Sequence, residues 1–71
     1  MFGHTIHADY VARQEALETH VYANHLFLVY SGERFKACTP DAEQAVSLAD
    51  SMPDGAVYEV YKAEQSSHRV Y

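Results

Sequence analysis

The sequence predicts a small α+β fold, a three-stranded antiparallel sheet in the spatial order 2-1-3 with one helix packed on it. Three observations support this. An apolar run at residues 26–30 is followed, after a glycine turn, by alternating charged and apolar residues at 34–38. A proline-led helix start then precedes a third strand-like run at 56–61. The 71 residues, 1–71, predict one domain with its core at 26–62.

The first 25 residues fit two descriptions. Residues 2–7 have the composition of a short strand, after which Asp9 is suited to cap a helix with apolar positions at helical spacing. Alternatively, residues 20–30 form one long strand with a break or bulge at Asn24. The sequence therefore predicts an N-terminal strand or helix and leaves residues 8–24 open between the two.

Leu26 to Tyr30 is apolar on both faces of a strand, which predicts the central strand of the sheet. Ser31-Gly32-Glu33 supplies the glycine that a short hairpin turn needs. Arg34 to Cys38 alternates charged with apolar residues and predicts a half-exposed second strand.

Thr39-Pro40-Asp41 predicts a helix start, with Thr39 as the cap and proline at the first helical position. The helix is expected to run from Pro40 to about Ser51, because Pro53 disfavours helical backbone at the residue before it. A right-handed crossover then places the third strand beside the first. The side chains expected to face the sheet are Ala42, Ala45, Val46, Ala49 and Met52.

The polar segment 65–71 is expected to fray. The N-terminus shows no basic region followed by an apolar stretch, and no apolar run approaches the ~20 residues that span a bilayer. A single cysteine allows no internal disulfide and indicates a reducing compartment. A cytoplasmic location without membrane contact is therefore expected.

The acidity of the chain is concentrated in its second half. The formal net charge is −5, and residues 39–64 carry six acidic side chains against one lysine. Nucleic acid is not expected as a direct partner, because binding it depends mainly on neutralising phosphates with Lys and Arg. A larger protein or complex with a basic surface is the expected partner.

Five histidines raise the question of a metal site. His4 and His7 lie three residues apart, and His20 and His25 five apart, but zinc needs three or four converging ligands. On a strand, positions 4 and 7 point to opposite faces, so no metal and no cofactor is predicted. Cys38 lies before a helix start, where amide dipoles can lower a thiol pKa. Because no base or oxyanion site accompanies it, we interpret it as structural and predict no catalytic residue and no enzyme.

The chain contains six tyrosines, and two of them, Tyr58 and Tyr61, fall on opposite faces of the third strand. They either complete a small core or anchor a protein interface, where tyrosine is enriched. The candidate partner-binding residues are Asp41, Glu43, Asp50, Asp54, Glu59, Tyr58 and Tyr61.

The compact hairpin, the helix opened by Thr39-Pro40-Asp41 and the closing strand Val57 to Tyr61, in a tiny acidic chain, resemble small phage or mobile-element proteins, the anti-CRISPR proteins in particular. The resemblance covers residues 26–62 in overall style and transfers no site residue. It implies an inhibitor that occludes a nucleic-acid-binding surface of a bacterial defence complex, such as a CRISPR effector, in the host cell cytoplasm. Two alternatives stay open: a homodimeric structural or regulatory module and a small His-metal protein.

Overall fold

The computed structural model describes residues 2–64 and 66–71, with side chains from residue 9 onward except at 65 and 66. The strands form one antiparallel sheet in the order β2-β1-β3-β4, which confirms the α+β class and the 2-1-3 order and adds a fourth strand. The elements are α1 Phe2–Thr19, β1 His25–Ser31, β2 Arg34–Thr39, α2 Ala42–Asp50, β3 Gly55–Tyr61 and β4 Ser66–Arg69.

β1 is one of the two inner strands of the four-stranded sheet, next to β3, and it is buried on both faces, as its composition predicted. Leu26 and Leu28 face one side of the sheet, where Leu17 of α1 packs against them. Val29 faces the other side, where α2 covers it. The two helices therefore lie on opposite faces, here called the α1 side and the α2 side. The buried residues on the α2 side are Val29, Ala45, Ala49 and Val57.

The N-terminal element is a helix, and the strand expected at residues 2–7 is wrong. No proline interrupts residues 2–19, so the helix continues to Thr19. Asp9 does not cap it, because it lies inside α1, where its carboxylate accepts a hydrogen bond from Arg34 Nε at 2.8 Å. The long strand considered for residues 20–30 is also wrong, since a turn precedes β1 and the strand begins at His25.

The cap of α2 is Asp41, not Thr39, and the helix begins at Ala42, two residues later than expected. The Asp41 carboxylate accepts hydrogen bonds from the backbone amides of Glu43 and Gln44 at 3.0 and 3.3 Å. Thr39 still pairs with Phe27 in the sheet, so the chain is extended there and the helix begins only after β2 ends. The buried Thr39 hydroxyl instead donates to Gln44 Oε1 at 2.8 Å.

α2 approaches the sheet closely through small residues. Ala45 and Ala49 are buried, and Val46 and Met52 pack at the edge of the same cluster. Ala42 is exposed, so the first residue of the expected inward stripe was wrong.

The hairpin between β1 and β2 contains an irregularity that the sequence did not predict. Val29 pairs with Ala37, but the next residue, Tyr30, pairs with Phe35, so Lys36 is an extra residue in β2. Because of this bulge, Phe35 packs on the α1 side while Ala37 packs on the α2 side. In a regular strand the two would share one face.

Residues 66–69 form β4, so the fraying expected for residues 65–71 is wrong for residues 66–71, while residue 65 lies outside the described residues. β4 pairs with β3 along its length, with Ser67 opposite Val60 and Arg69 opposite Tyr58. Beyond the strand, the amides of Val70 and Tyr71 both donate to the Val57 carbonyl, at 2.8 and 3.2 Å. Backbone hydrogen bonds thus hold a segment whose side chains are mostly polar and exposed.

The close contact of Gly55 with α2 yields a first prediction. A Cβ on Gly55 would lie 1.8 Å from the carbonyl oxygen of Ala49, so Gly55→Ala should lower the free energy of unfolding by about 2–3 kcal/mol. Gly32 is the matched control, because it has a φ of +61° but no atom within 4 Å of its would-be Cβ. Gly32→Ala should cost only about 1 kcal/mol. Equal losses in urea unfolding would show that α2 does not approach β3 this closely.

The position of the cap yields a second prediction. Asp41→Ala should lower the free energy of unfolding by about 1 kcal/mol, because two backbone amides lose their acceptor. Asp41→Asn keeps a side-chain oxygen at the cap and should leave stability close to that of the unaltered protein. Thermal and urea unfolding measure both changes. If the two variants lose the same stability, charge and not capping is what Asp41 contributes.

Candidate functional site

Four exposed carboxylates lie at the two ends of α2 and are called here the acidic helix surface. Asp41 and Glu43 are at its N-terminal end, while Asp50 is its last residue and Asp54 lies in the turn to β3. A helix of nine residues separates the two pairs by on the order of 13 Å. The structure thus places two of these predicted residues, Glu43 and Asp50, in α2 and the other two, Asp41 and Asp54, just before and just after it.

The acidic helix surface has polar partners but no cationic ones. Asp41 accepts from backbone amides, and Asp50 accepts a hydrogen bond from the Tyr71 hydroxyl, which raises the pKa of Tyr71. Among the described side chains, the ion pairs involve other carboxylates, those of Asp9 and Glu59. The negative charge at α2 is therefore not cancelled by a neighbouring Lys or Arg of the described chain.

Four of the five Lys and Arg residues lie on the α1 side or contact α1 instead, and one of these is Arg34, which forms an ion pair with Asp9 of α1. Arg13 belongs to α1 and lines a groove together with Lys62. Arg69 stands opposite Tyr58 in the sheet and so shares the α1 side with it. The molecule is consequently polarised: the acidic helix surface lies on one side of the sheet, whereas the other side carries these cations together with the α1 acids Asp9, Glu15 and Glu18, so that its charges are mixed.

Glu59 is half-buried on the α2 side of β3 and is held between two imidazoles. Nε2 of His25, on β1, lies 2.7 Å from one carboxylate oxygen, and Nε2 of His68, on β4, lies 3.0 Å from the other. Both oxygens are therefore engaged within the sheet. Glu59 links three strands, which makes it a poorer candidate for contacting a partner than the four acids of α2.

The two candidate tyrosines lie on opposite faces of β3. Tyr58 is half-buried on the α1 side, where its ring meets Tyr30 edge-on at a centroid distance of 5.3 Å. Tyr61 is 40% exposed and stacks on His25, with ring centroids 4.3 Å apart and planes 6° from parallel. Tyr61 thus shares the α2 side with Glu59, whereas Tyr58 is separated from all the candidate acids by the sheet.

The histidines for which a metal site was considered do not converge in the described part of the chain. His20 Nε2 lies 3.3 Å from the carbonyl oxygen of Cys38, and His25 is bound to Glu59. The side chains of His4 and His7 lie outside the described residues. From residue 9 onward, no described group of three or more His, Cys, Asp and Glu side chains is arranged to hold a metal ion.

The Cys38 thiol differs from the sequence-based expectation. It is half-buried in the cluster on the α1 side, and this burial raises its pKa, although Lys62 and Arg13 act in the opposite direction. The lowered thiol pKa that was considered for a cysteine just before a helix does not occur, because α2 begins only at Ala42. A thiol with a raised pKa is less ionised at neutral pH, which agrees with a structural role.

Comparison with known proteins finds no matching family model, no matching curated protein and no matching solved structure. Of the helices in the described residues, none is both long enough and apolar enough to cross a membrane. Function is therefore inferred from the residues and geometry of this chain.

The contact between Glu59 and the two histidines yields a third prediction. Glu59→Ala should lower the free energy of unfolding by about 0.5–1 kcal/mol, because the imidazoles are partly exposed and the interactions are screened. The same change should speed amide hydrogen exchange in β4, since His68 loses its link to β3. Glu64→Ala, at an exposed position in the β3–β4 turn, is the control. Unchanged exchange in β4 would mean that backbone pairing alone holds the strand.

Proposed function

We propose that this chain is a small binding protein that inhibits a larger complex by covering a basic, nucleic-acid-binding surface. The observation that carries the proposal is the charge separation across the sheet. Four exposed carboxylates surround α2, while Arg13, Lys62 and Arg69 lie on the opposite side. In a chain of net charge −5, this gives the α2 side a strongly negative field.

Such a field favours fast encounter with a positive surface and orients the chain as it approaches. At contact, exposed carboxylates form charge-assisted hydrogen bonds with Arg and Lys, and arginine can engage both oxygens of one carboxylate. The two pairs of acids at the ends of α2 would contact two separate groups of cations. Tyr61, exposed on the same side, adds an aromatic group of the kind enriched in protein interfaces.

A guide-RNA-loaded CRISPR effector is the partner that fits this proposal. Such complexes hold nucleic acid in a positively charged channel, which is the type of surface that an acidic protein can occupy. The resemblance of residues 26–62 to anti-CRISPR proteins supports the same choice. Inhibition by occlusion requires no catalytic residue.

A homodimeric module is the second candidate, and the edge position of β4 favours it. In the described sheet β4 has β3 on one side and no strand on the other, so its outer edge is available for pairing. Val70 and Tyr71, which follow it, are 48% and 47% exposed. Light scattering separates a dimer from a monomer.

The proposed function yields a fourth prediction, tested by capturing partners from a bacterial lysate on the immobilised protein. Neutralising three acids of α2 together, as Asp41→Asn, Glu43→Gln and Asp50→Asn, should weaken the affinity for the captured complex about tenfold or more. Asparagine at position 41 preserves the cap, so the fold should persist. Raising salt from low to physiological strength should slow association, because charges more than about 10 Å apart become screened.

The matched control removes three exposed acids elsewhere, as Glu15→Gln, Glu18→Gln and Glu33→Gln. Both triple variants neutralise three carboxylates, so any difference reports position and not net charge. The captured complex should also release a fluorescent nucleic acid when the unaltered protein is added at stoichiometric concentration. Equal binding by the two triple variants, or no release of nucleic acid, would contradict inhibition through the acidic helix surface.

A further inference from the structure

The α1 side of the sheet contains a groove of about 420 Å³ that the proposed function does not use. It lies between α1 and the end of β3. Small-molecule sites in proteins have volumes of roughly 300–1,000 Å³, so a compact organic ligand fits its size. The residues that matter for its chemistry are Arg13, Lys62, Leu17, Val60, Tyr10 and Glu18.

Two cations that line the groove, Arg13 and Lys62, affect the same side chain, Cys38. Both oppose the burial that raises the pKa of Cys38, a member of the neighbouring cluster on the α1 side. Arg13 also opposes the burial that raises the pKa of Tyr30, a neighbour in the same cluster. The half-buried cluster that contains Cys38 and Tyr30 is thus close to the positive charges of Arg13 and Lys62.

These cations retain hydrogen-bonding capacity. Lys62 Nζ donates to the carbonyl oxygen of His20, which uses one of its three donors. Arg13 has five N–H donors, of which one makes a 3.4 Å contact with Gln14 Oε1 and another forms a hydrogen bond with the Tyr30 side chain. Among the described side chains, no carboxylate forms an ion pair with either cation, although Glu18 also lines the groove. Half-buried charges without a counter-ion are stabilised when an anion binds beside them.

Besides the two cations, Gln14 and the carboxylate of Glu18 line the groove, and the other three lining residues, Leu17, Val60 and Tyr10, are apolar or aromatic. Leu17 projects from α1 towards the buried cluster that contains Val60, and Tyr10 is 57% exposed at the helix surface. An anion with a flat apolar body would therefore place its charge at the cations and its body against Leu17 and Tyr10, since Val60 is only 1% exposed. We propose that this groove binds a small aromatic or branched monocarboxylate, with Arg13 and Lys62 as the carboxylate-binding residues.

The test is titration of the full isotope-labelled chain with phenylacetate, followed by amide chemical shifts. Saturable shifts should centre on residues 13, 17, 60 and 62, with a dissociation constant on the order of 1 mM, as befits so small a ligand. Phenylacetamide has nearly the same shape without the charge and should bind at least about tenfold more weakly. This comparison needs no variant, so it holds whatever a substitution does to folding.

Variants then assign the carboxylate contact. Arg13→Gln and Lys62→Gln should each weaken phenylacetate binding about fivefold, the effect of one surface charge pair. Lys36→Gln removes an exposed cation on β2 and should change nothing. The proposal is overturned by any of three results: no saturable shift up to about 20 mM, equal binding of acid and amide, or an equal effect of Lys36→Gln. Because the groove and α2 lie on opposite sides, failure here leaves the proposed inhibition unaffected.

Discussion

Burial of β1 on both faces is the constraint on which the rest of the structure depends. Each face of β1 needs its own packing element, because Leu26 and Leu28 face one side and Val29 faces the other. In this chain of 71 residues, one helix packs on each face. On the α2 side, alanines allow a close approach, so a nine-residue helix suffices. On the α1 side, the longer helix packs near β2 and leaves the groove beside β3 open.

The sequence predicted the elements whose signals are local. The apolar run of β1, the Gly32 turn and the presence of a helix after β2 each have signals within a few residues, and together they predicted the order of three strands, although α2 begins at Ala42 and not at Pro40. β4 lacked such a signal, because polar, exposed residues form it and its stability comes from pairing with β3. The capping error had a similar origin. Thr39 and Asp41 are both good caps, and pairing of Thr39 with a distant strand decided between them.

In the candidate site, the exposure of the four acids at the ends of α2 could be predicted. It follows from the small apolar side chains of the helix, which face the sheet and leave the acids towards solvent. Engagement of Glu59 could not, because one of its two histidine partners lies in the segment expected to fray. The positions of the cations could not be predicted from the sequence either. Arg13 and Arg69 are far apart in sequence, and only the packing of α1 and the pairing of β4 place them on the same side of the sheet.

The bulge at Lys36 gives β2 a property that ordinary strands lack. The alternation of side chains between the two faces shifts by one residue at the bulge. Phe35, before it, therefore packs on the α1 side, and Ala37, after it, packs on the α2 side. The strand therefore tolerates a change of side-chain type far better than a change of length. Loss or gain of one residue here would exchange the faces of Arg34 and Phe35, the two β2 residues between the bulge and the Gly32 turn, and would remove the Phe35 ring from the cluster on the α1 side.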